Sequence, residues 1–399
     1  MRKTILLNLK FQYYIINYAM LSLAFCLLCV NCTNKTQTSK DIEDNGIREI
    51  NIIDNLSDAQ NVKLSTIASS IDYCALEANK KSLLPLNMLY YATNNHVVAI
   101  GDHGCYVFDR KTGDFVRQVA RKGQGPGEYT EVVDRFWDAK NEQVCFWNGR
   151  NYLFYNIDGT FSHQTGRFRH HMDPFFRHED LYVGYVSNRL ANEKSRIAFY
   201  DKKGILVDSI YNYRSWERTR PGYSGVGDNW MYIFHDSLYY KDIYCDTLYQ
   251  IKDFMLHPRY IFNTGGLAVP YEMQEGGQHE MSSSGMIDRY EKYINFYSIH
   301  EDNKYLYIRV KHKKKYHYIM YDKKENTQMG ISVFENDLDG GLPFWPMQMI
   351  SDKEMMGLCL AEALLELDRS KITDEKLINL LNNLDEDSNP LVVAIVTLK

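Results

Sequence analysis

Tyr106-Val-Phe-Asp109, followed by Lys111-Thr-Gly113 and Phe115-Val116, is a phrase that recurs along this chain. An alternating aromatic strand runs into a turn of Asp, Asn, Lys or Gly and leaves it as a second apolar strand. Leu153-Phe-Tyr-Asn156 before Asp158-Gly159 and Phe161 repeats it, as does Ala198-Phe-Tyr-Asp201 before Gly204 and Ile205-Leu206-Val207. Thr247-Leu-Tyr-Gln250 is a weaker copy without the turn glycine, and Ile319-Met-Tyr-Asp322 precedes Lys323-Lys324. Each copy predicts a hairpin. Asp158-Gly159 between alternating strands is a two-residue turn signal, since such turns need positive φ.

Alternation alone also fits a sandwich or a barrel, so the period decides. The fourth residues of successive copies are Asp109, Asn156, Asp201 and Gln250, and four-stranded propeller blades recur every ~40–50 residues. The longer interval from Gln250 to Asp322 predicts an insertion between Gly265 and Tyr290, with one short helix around Met286 to Phe296. After Trp345 the spacing turns helical: Ser351 with Glu354 fits a capping box, and Met355, Leu358, Ala361 and Leu365 share a face. A second helix is expected from Thr373 to Leu384. Leu391 to Leu398 then reads as a buried closing strand, pairing with Val62 to Ile67 or Ile71 to Leu76 so that no sheet edge stays open. The expectation is an all-β propeller with a short helical insertion and C-terminal helices before the closing strand.

Composition agrees with a large β domain: of 399 residues, 45% are hydrophobic, with 31 Tyr and 18 Phe, both strand-favouring. The net charge of −5 gives no reason to expect nucleic acid as a partner. Arg2, Lys3 and Lys10 precede an apolar run from Ala19 to Val30, too short to span a bilayer comfortably and typical of an export signal. Leu28-Cys29-Val30-Asn31-Cys32 resembles a degenerate lipobox, with Asn31 where a small residue normally stands. Cys32 is therefore the expected lipidation site, residues 1–32 the signal peptide, 33–55 a polar tether and 56–399 one propeller domain. Membrane contact would come from the acyl chains. Cys74, Cys105, Cys145, Cys245 and Cys359 have no disulfide or zinc spacing and read as free thiols.

Arg121-Lys-Gly-Gln-Gly-Pro-Gly-Glu-Tyr129 resembles the signature of the six-bladed propeller lipoproteins of Bacteroides-type bacteria. Asp246-Thr-Leu-Tyr-Gln-Ile251, Pro258-Arg-Tyr-Ile-Phe262, Asn336-Asp-Leu-Asp-Gly-Gly341 and Asn389-Pro-Leu-Val392 resemble phrases of the same family. The likeness implies a six-bladed propeller and an exported, outer-membrane lipoprotein; the repeat by itself supports only that there are several blades. It implies no established activity.

Candidate sites weigh against catalysis. In Gly123-Gln-Gly-Pro-Gly127 no Lys-Ser/Thr follows, Glu128 takes the last place of a G-x-G-x-x-G, and Pro126 removes a donor, so a rigid inter-strand loop is expected. Its Glu128 and Tyr129 can still face a ligand. Asp337-Leu-Asp339-Gly340 lacks the spacing of a calcium loop and reads as a polar turn. His163, His170, His171 and His178, with Asp173, lack a metal-site pattern. Lys311-His-Lys-Lys-Lys315 reads as a charged hairpin that blocks edge pairing, or less simply as a contact for an anionic polymer. Gly222-Tyr-Ser-Gly225 is not a nucleophile elbow. The loop holding Trp216, Arg218, Arg220 and Tyr223 is the best candidate for a ligand contact. The expected role is therefore a non-catalytic module for a glycan, peptide or protein, with no cofactor. The alternative is an envelope hydrolase or lyase acting in the central funnel, with a divalent cation there.

Overall fold

The computed structural model describes residues 46–79, 84, 88–101, 104–125, 128–186, 188, 193–212, 229–270 and 291–399. They form six sheets, each built on four antiparallel strands. Blade 1 runs through Leu89–Ala92, His96–Gly101, Gly104–Asp109 and Phe115–Val119, and blade 2 through Asp134–Asp138, Gln143–Trp147, Tyr152–Asn156 and Phe161–Gln164. Blade 3 is Met172–His178, Leu181–Val186, Ser195–Tyr200 and Leu206–Tyr211; blade 4 is Asn229–Phe234, Ser237–Asp242, Thr247–Lys252 and Met255–Asn263. Blade 5 comprises Asn295–Glu301, Tyr305–His312, Lys315–Asp322 and Thr327–Glu335. Blade 6 takes Gln348–Ser351, Glu354–Leu360 and Leu391–Leu398 from the C-terminus and its outer strand from the N-terminus. The expected six-bladed propeller is thus present.

The N-terminal segment visits three blades in turn. β1 (Arg48–Asn51) adds a parallel fifth strand to blade 4, with Ile50 opposite Phe262. β2 (Gln60–Lys63) does the same on blade 5, with Val62 opposite Phe334. β3 (Ala68–Leu76) closes blade 6 against the C-terminal strand, Leu76 opposite Leu391 and Ser70 opposite Thr397. Of the two partners expected for the closing strand, Ile71 to Leu76 is the one used. The tether boundary at residue 56 needs correction: Arg48–Asn51 already belong to a sheet, because Ile50 and Ile52 are fully buried between blades 4 and 5.

The recurring phrase is the third strand, the turn and the outer strand of blades 1 to 5. Its acidic residue is a turn-forming acceptor: Asp109 Oδ1 accepts from the amides of Lys111 and Thr112, Asp201 Oδ1 from Lys203 and Ile205, and Asp322 Oδ1 from Lys324 and Glu325. At Asp158-Gly159 only the glycine takes positive φ, and the Asn156 amide donates to Thr160 O, so a three-residue loop with a bulge replaces the expected two-residue turn.

The core lies in the seams between blades. Interior strands such as Gly104–Asp109 are buried on both faces, and that explains a misreading further on. Met355 and Leu358 are not helical: Glu354–Leu360 is the second strand of blade 6, and Ser351 ends its inner strand. The buried centre of this strand loses its polar alternation, so Met355 and Leu358 fall in helical register with Ala361 and Leu365, which are helical. The true helices are α1 (Ala361–Leu365) and α2 (Glu375–Asn383), the latter capped by the Asp374 carboxylate, which accepts from the amides of Lys376 and Leu377. Both pack on Val392 of the closing strand. Of the helix expected around Met286 to Phe296, residues 286–290 lie outside the described residues, and the rest is not helical: a turn at Glu291 and Lys292 leads into the strand Asn295–Glu301.

Candidate functional site

Six inner strands surround a central channel of about 1300 Å³. Tyr91, Trp137, Phe176, Tyr232, Tyr297 and Met349 bring one apolar or aromatic side chain from each blade to its wall. Trp137 stacks on Tyr91 across the blade 1–2 seam at 5.9 Å, and the Trp230 indole N–H donates to Ile299 O at 2.8 Å across the blade 4–5 seam.

The up-and-down topology puts every hairpin between first and second strands at one mouth. There the turns of alternate blades meet. Lys140 Nζ of blade 2 lies 3.3 Å from Asp236 Oδ1 of blade 4, and His235 Nε2 of blade 4 lies 3.4 Å from Asp352 Oδ2 of blade 6. These side chains are solvent-exposed, so each pair contributes little energy. Their role is to span the opening.

The other mouth collects the turns between second and third strands. Lys313 and Lys314 form the blade 5 turn, both at positive φ, and Lys314 Nζ lies 3.5 Å from Glu291 Oε2. This hairpin joins two interior strands of blade 5, so it guards no sheet edge, contrary to the simpler expectation. Nearby, the register shift between Phe296 and Ser298 leaves Tyr297 unpaired in the ladder and 40% exposed, as bulges do when they re-aim a side chain.

One charge in the wall is fully enclosed. Glu301, with a 0% exposed side chain, accepts from both arms of Arg259, from Lys323 and from the Tyr232 hydroxyl. Burial, then the Glu301 charge, pushes the Tyr232 hydroxyl far above the usual phenol range. His300 is held down to about 3 by burial first and then by the Arg309 guanidinium, so its imidazole is neutral at physiological pH.

The residues singled out from sequence are distributed differently. Glu128 is exposed, and its carboxylate accepts from the Gly125 amide at 2.8 Å within its own loop. Tyr129 is 1% exposed and packs 5.1 Å from Phe146 between blades 1 and 2; it is a core residue rather than a surface contact. Neither lines the channel. Cys32, Trp216, Arg218, Arg220 and Tyr223 lie outside the described residues. The histidine group is dispersed: His163 stacks on Phe154, His170 bonds the Tyr200 hydroxyl at 2.6 Å, and His171 stacks on Trp147 and meets Asp134 at 3.1 Å. Asp337 accepts from the Ser65 amide and hydroxyl, and Asp339 from the Gly341 amide, as in a polar turn. Among the described residues no three His, Cys, Asp or Glu side chains are grouped to hold a metal, and Cys74, Cys105, Cys145, Cys245 and Cys359 are free thiols. The channel network of Glu301, Arg259 and Lys323 was not anticipated.

Six antiparallel blades around a wide axial channel, the last closed by strands from the two ends of the domain, define a six-bladed β-propeller. The chain belongs to the family known as domain of unknown function DUF4934, matched over residues 47–396. Its fold is similar to that of a Bacteroides fragilis protein described as exported, at 19% identity and a TM-score of 0.67, over 88% of this chain and 100% of that one. A DUF4221 family member from Bacteroides vulgatus is more distant, at 10% identity and a TM-score of 0.49 over 83% of this chain and 97% of that one. In sequence, a BTB/POZ-domain and WD-repeat protein of Acanthamoeba polyphaga mimivirus is 26% identical over 30% of this chain, and the match spans only 22% of that relative. Among the described residues no helix is long and apolar enough to cross a membrane.

Proposed function

We propose that the protein is an outer-membrane lipoprotein, anchored through acyl chains on Cys32, whose propeller binds a glycan, peptide or protein segment at the axial channel without converting it. The channel carries this reading. Its volume of about 1300 Å³ exceeds the range of ~300–1,000 Å³ usual for small-ligand pockets, and its aromatic edges suit an extended ligand. Among the described residues, five of its eight lining carboxylates face a basic side chain: Glu301 faces Arg259 and Lys323, Asp134 His171, Asp236 Lys140, Glu291 Lys314 and Asp352 His235. That arrangement differs from a pair of carboxyl groups set apart for general acid and base work. The likeness to a Bacteroides protein described as exported supports the address. Glu128, exposed on its loop, is proposed to add a peripheral contact, together with Trp216, Arg218, Arg220 and Tyr223.

Two measurements test this. Radiolabelled palmitate should enter the wild-type protein and not the Cys32→Ser variant. Oligosaccharide and peptide arrays probed with the purified propeller should show saturable retention and unchanged ligand by mass spectrometry. Reproducible product formation would replace the binding module with an enzyme.

A further inference from the structure

Several cations of the propeller are matched to carboxylates: Arg110 to Glu354, Arg259 and Lys323 to Glu301, Lys376 to Asp72. Arg309 and Lys311 on blade 5 differ. They sit two residues apart on one strand, which puts both on the same face of the sheet. Their charged groups lie over the rings of Tyr297 and Tyr316, with Arg309 at 5.9 and 5.4 Å and Lys311 at 5.8 and 5.6 Å. Among the described residues no carboxylate lies within ion-pair distance of either. Arg309 Nε is buried without an acceptor. Ser298, 3% exposed, stands opposite Arg309 in strand register, and its Oγ is likewise buried and unpartnered. Cross-strand partners project to one face, so Ser298 Oγ and the guanidinium share a side of the sheet.

Two neighbouring cations and an idle hydroxyl donor, with no anion among them, form an incomplete electrostatic unit. Leaving buried donors unmade costs more than a made bond returns, and placing like charges together adds to that cost. Cation–π contact and a hydrogen bond between Lys311 and the Tyr297 hydroxyl offset part of it, and leave Arg309 Nε and Ser298 Oγ without partners. The cluster reaches the channel through Tyr297 and Lys311, which line it, whereas Arg309 and Ser298 do not. His300, held neutral beside Arg309, adds no third positive charge.

We propose that Arg309, Lys311 and Ser298 form a subsite for an oxyanion carried by the channel's ligand, a carboxylate, sulfate or phosphate group. This rests on reading the channel as a binding site. The guanidinium offers a planar fork, Lys311 a point charge at the wall, and Ser298 Oγ a neutral donor. A sugar acid, a sulfated sugar and a phosphorylated sugar share this chemistry.

The test is isothermal titration of the full chain with glucuronate, glucose 6-sulfate, glucose 6-phosphate and neutral glucose. At least one of the three anions is expected to bind, more weakly as salt is raised, while glucose gives no comparable heat. Lys311→Gln and Arg309→Lys should each weaken that anion about tenfold or more, the second because it keeps the charge and loses the fork. If Arg309→Lys fails to fold, Lys311→Gln, at the channel wall, remains decisive. No binding of any of the three anions, or binding unchanged in Lys311→Gln, would overturn the subsite. Neutral glycan or peptide retention on the arrays that Lys311→Gln leaves intact would do the same while preserving the channel reading. Conversion of a bound anion whose affinity depends on Lys311 would overturn the non-catalytic reading and preserve the subsite.

Discussion

Arg259 grips Glu301 with both arms of its guanidinium, at 3.0 and 2.7 Å, across the seam between blades 4 and 5. Because Glu301 is enclosed and shared with Lys323 and Tyr232, removing the carboxylate strands two cations rather than one. Glu301→Ala should destabilise the propeller by ~3–5 kcal/mol, the usual result of breaking a buried ion pair from one side. Urea denaturation of wild type and variant measures it; a loss below 1 kcal/mol would show that water replaces the carboxylate.

Gly113 and Gly159 both occupy positive φ in equivalent turns, at 79° and 93°. A Cβ on Gly113 would stand 1.8 Å from Ala75 O of β3, whereas on Gly159 it meets nothing nearer than 3.9 Å. Gly159→Ala should therefore cost only the left-handed backbone, ~1–2 kcal/mol. Gly113→Ala should cost clearly more, since it pushes β3 off the blade 1 seam, where Glu77 N donates to Gly113 O. Equal melting temperatures for the two variants would refute the difference.

Lys241 is buried, donates to Asp242 O at 2.6 Å and to Cys245 O, and lies 4.2 Å from the Phe296 ring centre. Burial brings its ammonium down to about 8 from 10.5, outweighing the nearby Cys245 and Asp242. Between those values the unfolded chain binds more protons, so stability rises with pH from about 8, by up to ~1.4 kcal/mol per pH unit. Above pH 10 buried tyrosines such as Tyr240 and Tyr307, whose hydroxyls are raised, act in the opposite direction. Lys241→Met should flatten the rise between pH 8 and 10 in denaturant titrations.

The neutral His300 acts with the same sign as Lys241, but at acid pH. Its folded value near 3 lies below the unfolded 6.5, so its contribution is complete above pH 6.5 and is lost as pH falls toward 3. His300→Phe should remove up to ~1.4 kcal/mol per pH unit from the acid slope. A slope unchanged between pH 6.5 and 4.5 would mean that His300 protonates in place.

The blades were legible because their signal is local. Asp109, Asp201 and Asp322 each turn the chain by bonding amides two to four residues on, so their spacing carries the blade period. Blade 6 hid because α1 and α2 separate its second strand from Leu391–Leu398, and because the centre of that second strand, residues 355–357, is buried on both faces. The channel was not legible for a different reason. Tyr232, Arg259, Glu301 and Lys323 come from two blades and meet only when both are packed, and nothing around Tyr297 announces its bulge. The run of lysines at 311–315 was noticed, but its position inside blade 5 came only from the pairing of Lys311 with Tyr316.

β1, β2 and β3 give the chain a fixed order of assembly. Leu391–Leu398 follows every other strand of the ring in sequence, yet it is the strand on which β3, which precedes blades 1 to 5, must dock. Blades 1 to 3 contain only strands contiguous in sequence and can form during synthesis, whereas ring closure joins residues more than 300 positions apart, a pairing of very high contact order. β3 has no partner strand until Leu391–Leu398 is made, whereas β1 and β2 can pair as soon as blades 4 and 5 form. An exported chain would therefore complete its folding only after crossing the membrane whole, and a chaperone that shields strand edges would have its greatest effect in that interval.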